Sequence, residues 1–171
     1  MNKISGQKIE KAVRILSEYM PASETLSKPT LFHCIRVGVY LYNHYYPEEV
    51  IIAGILHDIL EDTNLTEEEL TSSFGKTVTD LVEANTKDRS IINQDERIKE
   101  LINRCVKYGE NALIVKAADI LDNFEYFQSI EDAKGIDYCL RNARVLMESM
   151  PEGFKDKIFE SLKNKIISTQ L

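Results

Sequence analysis

The sequence predicts an all-α bundle of about eight helices. Apolar residues recur at three- and four-residue spacings through most of the chain, the mark of helices with one buried face. No run alternates apolar with polar residues as a half-buried strand does, and no Asn-Gly pair signals a hairpin. Seven glycines and four prolines in 171 residues leave few points at which helices must break.

A chain of this length fits one domain, 1–171, with a real core. Its 43% hydrophobic and 29% charged content is that of a globular protein in water. The formal net charge of −7 argues against a nucleic-acid partner, but not against a small anion held through a metal. No apolar run is long enough to span a membrane, and the N-terminus has no signal-peptide core, so the expected location is cytoplasmic. Cys34, Cys105 and Cys139 are odd in number, widely spaced and set in apolar helical patterns. They read as reduced core thiols. Oligomeric state is not legible.

The first helix is expected from about Ser5 to Tyr19, with Ile9, Ala12, Val13 and Leu16 inward and Pro21 as its stop. Ala22 to Thr30 reads as a loop. A second helix starts near Pro29 or Thr30, with His33, Val37, Tyr40 and Leu41 on one side. His44 sits at its end, before Pro47, as a surface residue. Pro47-Glu48-Glu49 opens a central helix expected to run through Asp62, with acids in its first turn where the dipole favours them. Thr66 and Glu69 have capping-box spacing and start a short helix that ends at Phe74-Gly75. Lys76–Ala84 is helical, and 85–90 is a polar loop. Asp95–Tyr108 follows, with Ile98, Leu101, Ile102 and Cys105 inward, and Gly109 ends it. A long helix spans Glu110 to about Gln128. The last two lie near Gly135–Met150 and Phe154–Ser168, where Tyr138, Leu146, Ile158, Leu162 and Ile166 have core spacing.

The chemistry centres on His57-Asp58-Ile59-Leu60-Glu61-Asp62. In a continuous helix His57 would lie over Glu61 and Asp58 over Asp62. Several acids on an otherwise apolar helix are costly to bury unless a cation pairs them, and a divalent metal is the economical partner. His33 and the segment Lys116-Ala117-Ala118-Asp119-Ile120-Leu121-Asp122-Asn123 extend this to a His…His-Asp…Asp set. Nitrogen and carboxylate donors suit Mn²⁺, Fe²⁺ or Zn²⁺.

This pattern resembles the HD-domain metal-dependent phosphohydrolases, and among them the hydrolase domain of RelA/SpoT homologues and the small stand-alone alarmone hydrolases. The likeness rests on His33, His57-Asp58, Asp119, the longer string through Thr63, Ser73-Phe74-Gly75, and Lys116 to Asp119 with Asn123, across 29–127. It implies one Mn²⁺ held by His33, His57, Asp58 and Asp119. It implies that Glu61 and Asp62 position and deprotonate the attacking water, that Asn123 contacts the nucleotide and that Lys116 supports the site. The implied reaction removes pyrophosphate from the 3′ position of guanosine tetra- or pentaphosphate. Alternatives are an HD nucleotidase acting on another nucleotide and a non-catalytic nucleotide sensor. Ala22, Thr30 and Asp122 stand where the family has a basic residue and two tyrosines around the nucleotide. Weaker guanine selection is therefore expected.

Overall fold

The structure is a computed structural model and describes residues 6–22 and 28–169. Every regular element among them is a helix, ten in all, one of only four residues. The all-α expectation holds. The expected helix start at Ser5 and the middle of the loop after Ala22 lie outside the described residues. The chain divides into two compact units, one ending at Thr86 and the other beginning at Lys87.

The first unit contains α1 (Gln7–Tyr19), α2 (Thr30–Asn43), α3 (Glu48–Leu56), α4 (Ile59–Asp62), α5 (Glu67–Phe74) and α6 (Lys76–Asn85). Its centre is α3, in which every residue from Val50 to Leu56 is buried. A helix apolar all round belongs inside a core, and α3 packs against α1, α2 and α6. The approach of α2 to α3 is close because glycines stand at the crossing. A Cβ on Gly38 would meet Ile55 at 2.2 Å, and one on Gly54 would meet Leu41 at 2.3 Å. The capping box forms as expected. Thr66 Oγ1 accepts from the Glu69 N–H, and the Glu69 carboxylate accepts from the Thr66 N–H.

One expectation is corrected. The central helix does not run unbroken to Asp62. It stops at Leu56, and Asp58 sits at φ −95°, ψ −1°, the sparsely populated bridge region. Asp58 O then accepts from the Glu61 and Asp62 N–H groups, starting the separate turn α4. The reason lies in a side chain. His57 Nδ1 bonds Gly54 O at 2.8 Å, the oxygen that a continued helix would offer to the Asp58 N–H. The stacking of His57 on Glu61 and of Asp58 on Asp62 therefore does not follow from a shared helix.

The second unit contains α7 (Gln94–Tyr108), α8 (Glu110–Ser129), α9 (Ala133–Ser149) and α10 (Lys157–Thr169). Asn93 caps α7 by accepting from the Asp95 and Glu96 N–H groups. Gly109, at φ 107°, passes directly from α7 into α8. Ile98, Leu101, Ile102, Cys105, Leu146, Ile158 and Leu162 are buried as their spacing required. Tyr138 and Ile166 are only half-buried. The last helix starts three residues later than expected. Glu110 accepts from the Lys155 and Asp156 N–H groups, and Asp156 accepts from the Ile158 N–H, so 155–156 are held as a cap.

Candidate metal centre

In the first unit α2 carries His33, and the end of α3 carries His57 and Asp58. The glycine-lined crossing brings the rings together. His33 Nε2 lies 3.2 Å from His57 Nε2, with the rings edge-on at 74°. Asp58 Oδ2 lies 3.4 Å from His57 Nε2 and 3.9 Å from His33 Nε2. All three side chains are buried.

A carbonyl only accepts, so the bond from His57 Nδ1 to Gly54 O fixes the proton on Nδ1. In the neutral ring His57 Nε2 then carries the lone pair, on the side that faces His33 and Asp58, the tautomer a metal ligand needs. Ligands bonded to one ion at about 2.0–2.2 Å stand roughly 3–3.5 Å apart. The two nitrogens and the carboxylate oxygen are close to that spacing, and they are the residues whose ligand atoms converge among those described. Their donor set suits a divalent metal.

Cys34 adjoins His57 but is a neutral thiol. Burial pushes its pKa up, which outweighs the opposing pull of His57. All three cysteines are free and buried, as expected.

Lys116, Asp119 and Asn123 form a second cluster, on α8 in the second unit. Lys116 Nζ donates to Asp119 Oδ2 at 2.8 Å, and Asn123 Nδ2 donates to Oδ1 at 2.5 Å. Lys116 is 3% and Asp119 5% exposed. Burial opposes the Lys116 charge, but the Asp119 carboxylate outweighs it and holds the amine above its ordinary pKa.

Glu61 and Asp62 are half-buried on α4. His44 is exposed, and its Nδ1 bonds Tyr40 O, in line with a surface role. Of the three departures from the family pattern, Ala22 is exposed, Asp122 half-buried and Thr30 buried. Two features of the site were not foreseen from sequence. One is the carbonyl of Gly54 on His57. The other is Lys28, whose Nζ lies 3.7 Å from Asp58 Oδ2. Glycines at 38 and 54 in apolar helices were the available signal for the first, and a lysine five residues before His33 for the second.

A family profile described as HD domain matches residues 12–138. A probable guanosine-3′,5′-bis(diphosphate) 3′-pyrophosphohydrolase of Mycoplasma pneumoniae is 34% identical over 140 residues, which cover 74% of this chain and 19% of that protein. The enzyme of the same activity named MESH1 in Drosophila melanogaster is 38% identical over 102 residues, 58% of this chain and 56% of that one. The match thus spans about a fifth of the first relative and just over half of the second. Among solved structures, a metazoan ortholog of SpoT described as hydrolysing ppGpp superposes with a TM-score of 0.77, over 95% of this chain and 96% of that one, at 23% identity. That likeness speaks to the fold. The profile match covers well over half of the sequence, and the chain belongs to the HD-domain family.

Proposed function

We propose that this protein is a metal-dependent nucleotide phosphohydrolase that removes pyrophosphate from the 3′ position of a (p)ppGpp-like nucleotide. The observation that carries the reading is the convergence of His33 Nε2, His57 Nε2 and Asp58 Oδ2, with the His57 tautomer fixed by Gly54 O. The names of the relatives from Mycoplasma pneumoniae and Drosophila melanogaster support the substrate class.

Mn²⁺ is the proposed ion and Asp119 the proposed fourth ligand. The burial of Asp119 and its place within the residues matched by the HD-domain profile support this. Lys116 would hold the Asp119 carboxylate in orientation. Asn123 would contact the nucleotide. The bound ion would supply Lewis acidity and offset charge on the phosphoryl oxygens. Glu61 and Asp62 would orient the attacking water and take its proton. The water oxygen bonds to the phosphorus attached to the 3′ oxygen. That P–O bond breaks, the 3′ oxygen gains a proton, and pyrophosphate leaves. Thr30 and Asp122 support relaxed base selection, since neither presents an aromatic ring for stacking.

The test is a competition between guanosine tetraphosphate, its adenosine counterpart and ordinary nucleoside mono- and triphosphates with Mn²⁺. Pyrophosphate release from the 3′-substituted nucleotides, with the guanine form favoured by less than about 150-fold, is expected. Turnover of 5′-monophosphates alone would make the protein a nucleotidase instead.

A further inference from the structure

Helix α2 packs on α3 and α1 and buries Cys34, Val37, Gly38 and Leu41. A second apolar stripe runs along its other side. Phe32, Ile35, Val39 and Tyr42 recur at intervals of three, four and three residues, the spacing of a helix that pairs with another helix. Phe32 is 58%, Val39 51% and Tyr42 51% exposed, and Ile35 is half-buried. Tyr45, just past the helix end, extends this surface at 84%. The outer face of a surface helix is ordinarily polar, and this one is not. α2 carries no carboxylate, and its one permanent charge is Arg36, in a chain of net charge −7.

We propose that this stripe is the interface of a twofold dimer, in which α2 pairs antiparallel with α2 of a second copy of the chain. The order of the residues carries the assignment. Read in either direction, the stripe is aromatic, aliphatic, aliphatic, aromatic. An antiparallel pair with its twofold axis level with Val37 sets Phe32 against Tyr42 of the second copy and Ile35 against its Val39. Symmetry repeats both layers. A surface that matches its own reverse suits an isologous contact, in which the same patch serves both copies. Charge agrees with this. The Arg36 guanidinium lies over the Phe32 ring, 4.6 Å from its centre. It is thereby drawn away from its own symmetry mate and into the layer of Tyr42 of the second copy, a second aromatic face for the same cation. Area sets the strength. Fully covered aromatic side chains bury about 150–250 Å² each, so Phe32, Tyr42 and Tyr45 leave roughly 300–500 Å² open per copy. Two copies bury roughly 600–1,000 Å² before Ile35 and Val39 are added, the lower limit of specific interfaces. The dimer is therefore weak and reversible. His33 lies on the buried side of the helix, so the pairing stands apart from the hydrolase reading.

The test uses the full chain without metal or nucleotide. Sedimentation equilibrium should show reversible growth from the monomer mass toward twice that mass, with a dissociation constant on the order of 10–100 µM. A monomer at every concentration up to about 1 mM overturns the proposal. So does growth beyond a dimer, because a twofold contact closes. Added salt should strengthen the association, since it screens the like net charge of the two copies and leaves apolar pairing intact. Dissociation by salt would assign the contact to ion pairs and overturn the apolar face. Two variants test the register. Phe32→Lys and Tyr42→Glu each place an unmatched charge on an exposed position of the stripe. Each alone should weaken the dimer by about ten- to 100-fold, with circular dichroism melts unchanged. Mixed together they should associate again to within about tenfold of the wild type. The two new charges then face each other in one layer while Phe32 and Tyr42 pair in the other. A mixture no stronger than either variant alone overturns the antiparallel register, and wild-type association in either variant overturns the use of α2. Val39→Lys, mid-helix on the same face, should weaken the dimer by a similar factor, and it decides the question if an end variant fails to fold.

Discussion

Asp119 in the second unit receives a hydrogen bond on each carboxylate oxygen, at 2.8 Å from Lys116 and 2.5 Å from Asn123. Asp58 in the first unit is equally buried, yet the cations and imidazoles around its Oδ2 stand at 3.4, 3.7 and 3.9 Å. One acid is closed by partners from its own helix, one turn away. The other faces groups spaced as ligands are when an ion lies between them. Asp119 is thus gripped by neighbours on its own helix, while Asp58 meets side chains from two other positions at longer range. Burial is common to both, and the spacing of the partners is what separates them.

The largest effect should come from breaking the open cluster. Asp58→Ala removes its anionic ligand and should abolish Mn²⁺ binding at concentrations that saturate the wild type, read by titration calorimetry. A thermal melt without metal should show whether the variant still folds, so that loss of binding is not mistaken for loss of structure. Retained stoichiometric binding would mean that Asp58 is not a ligand. Glu61→Gln is the companion that should spare the metal. It should keep the calorimetric stoichiometry and lose about 10²–10⁴ in turnover if Glu61 takes the proton of the water. Full activity at full metal occupancy would place the base elsewhere.

The closed cluster should break through stability. Lys116→Met leaves Asp119 buried beside an apolar chain, and unpairing a buried ion pair costs about 3–5 kcal/mol. Denaturant melts without metal should show it, and Lys116→Met with Asp119→Leu should recover much of the loss. If Asp119 is also a ligand, saturating Mn²⁺ should shrink the cost of the single variant. A cost that is the same with and without metal would leave Asp119 as structural only.

Gly54→Ala probes how the open cluster is assembled. The added methyl meets the tip of Leu41 at 2.3 Å and Val37 at 3.3 Å, in the crossing that sets His33 against His57. Overpacking of this kind costs about 1–3 kcal/mol. The loss should appear in Tm and, because the rings separate, in weaker Mn²⁺ binding. A lower Tm with unchanged affinity would show that the crossing does not set the ligand distance.

What the sequence revealed follows the same division. Helix positions were legible because apolar spacing and caps are local: Thr66 with Glu69, Pro47 before two glutamates, Gly109 between α7 and α8. The ligand types and their order were legible for the same reason. The break at His57-Asp58 was not, because it depends on a side chain engaging Gly54 O, and helix periodicity carries no trace of that bond. Nor was the pairing of Lys28 with Asp58, which joins residues thirty positions apart in sequence. Lys116 and Asp119, three apart on α8, had the spacing of an ion pair, but periodicity does not say which buried acid pairs along its own helix and which meets groups distant in sequence.

The smallest effect belongs to a pair of acids, a control for the two buried carboxylates. Glu83 on α6 faces Glu67 on α5. Partial burial, then the hydrogen bond and charge of Glu67, raise its pKa above the ordinary glutamate value. Here the opposing pull of Lys76 is the weakest of the contributions, and the group responds by holding its proton longer. A carboxyl with a raised folded pKa binds more protons folded than unfolded. The penalty for ionising it is absent below the ordinary glutamate range and complete above the raised value, so stability falls as pH rises through that window. Glu83→Gln removes the ionisation while keeping a hydrogen-bonding amide. It should raise Tm at pH 7, leave it nearly unchanged at pH 4, and reduce the difference between the two. Because the pair is mostly exposed, solvent screening keeps the gain small, and added salt should erase part of it. A Tm gain of equal size at both pH values would trace the effect to packing between α5 and α6 and remove the charge from the account.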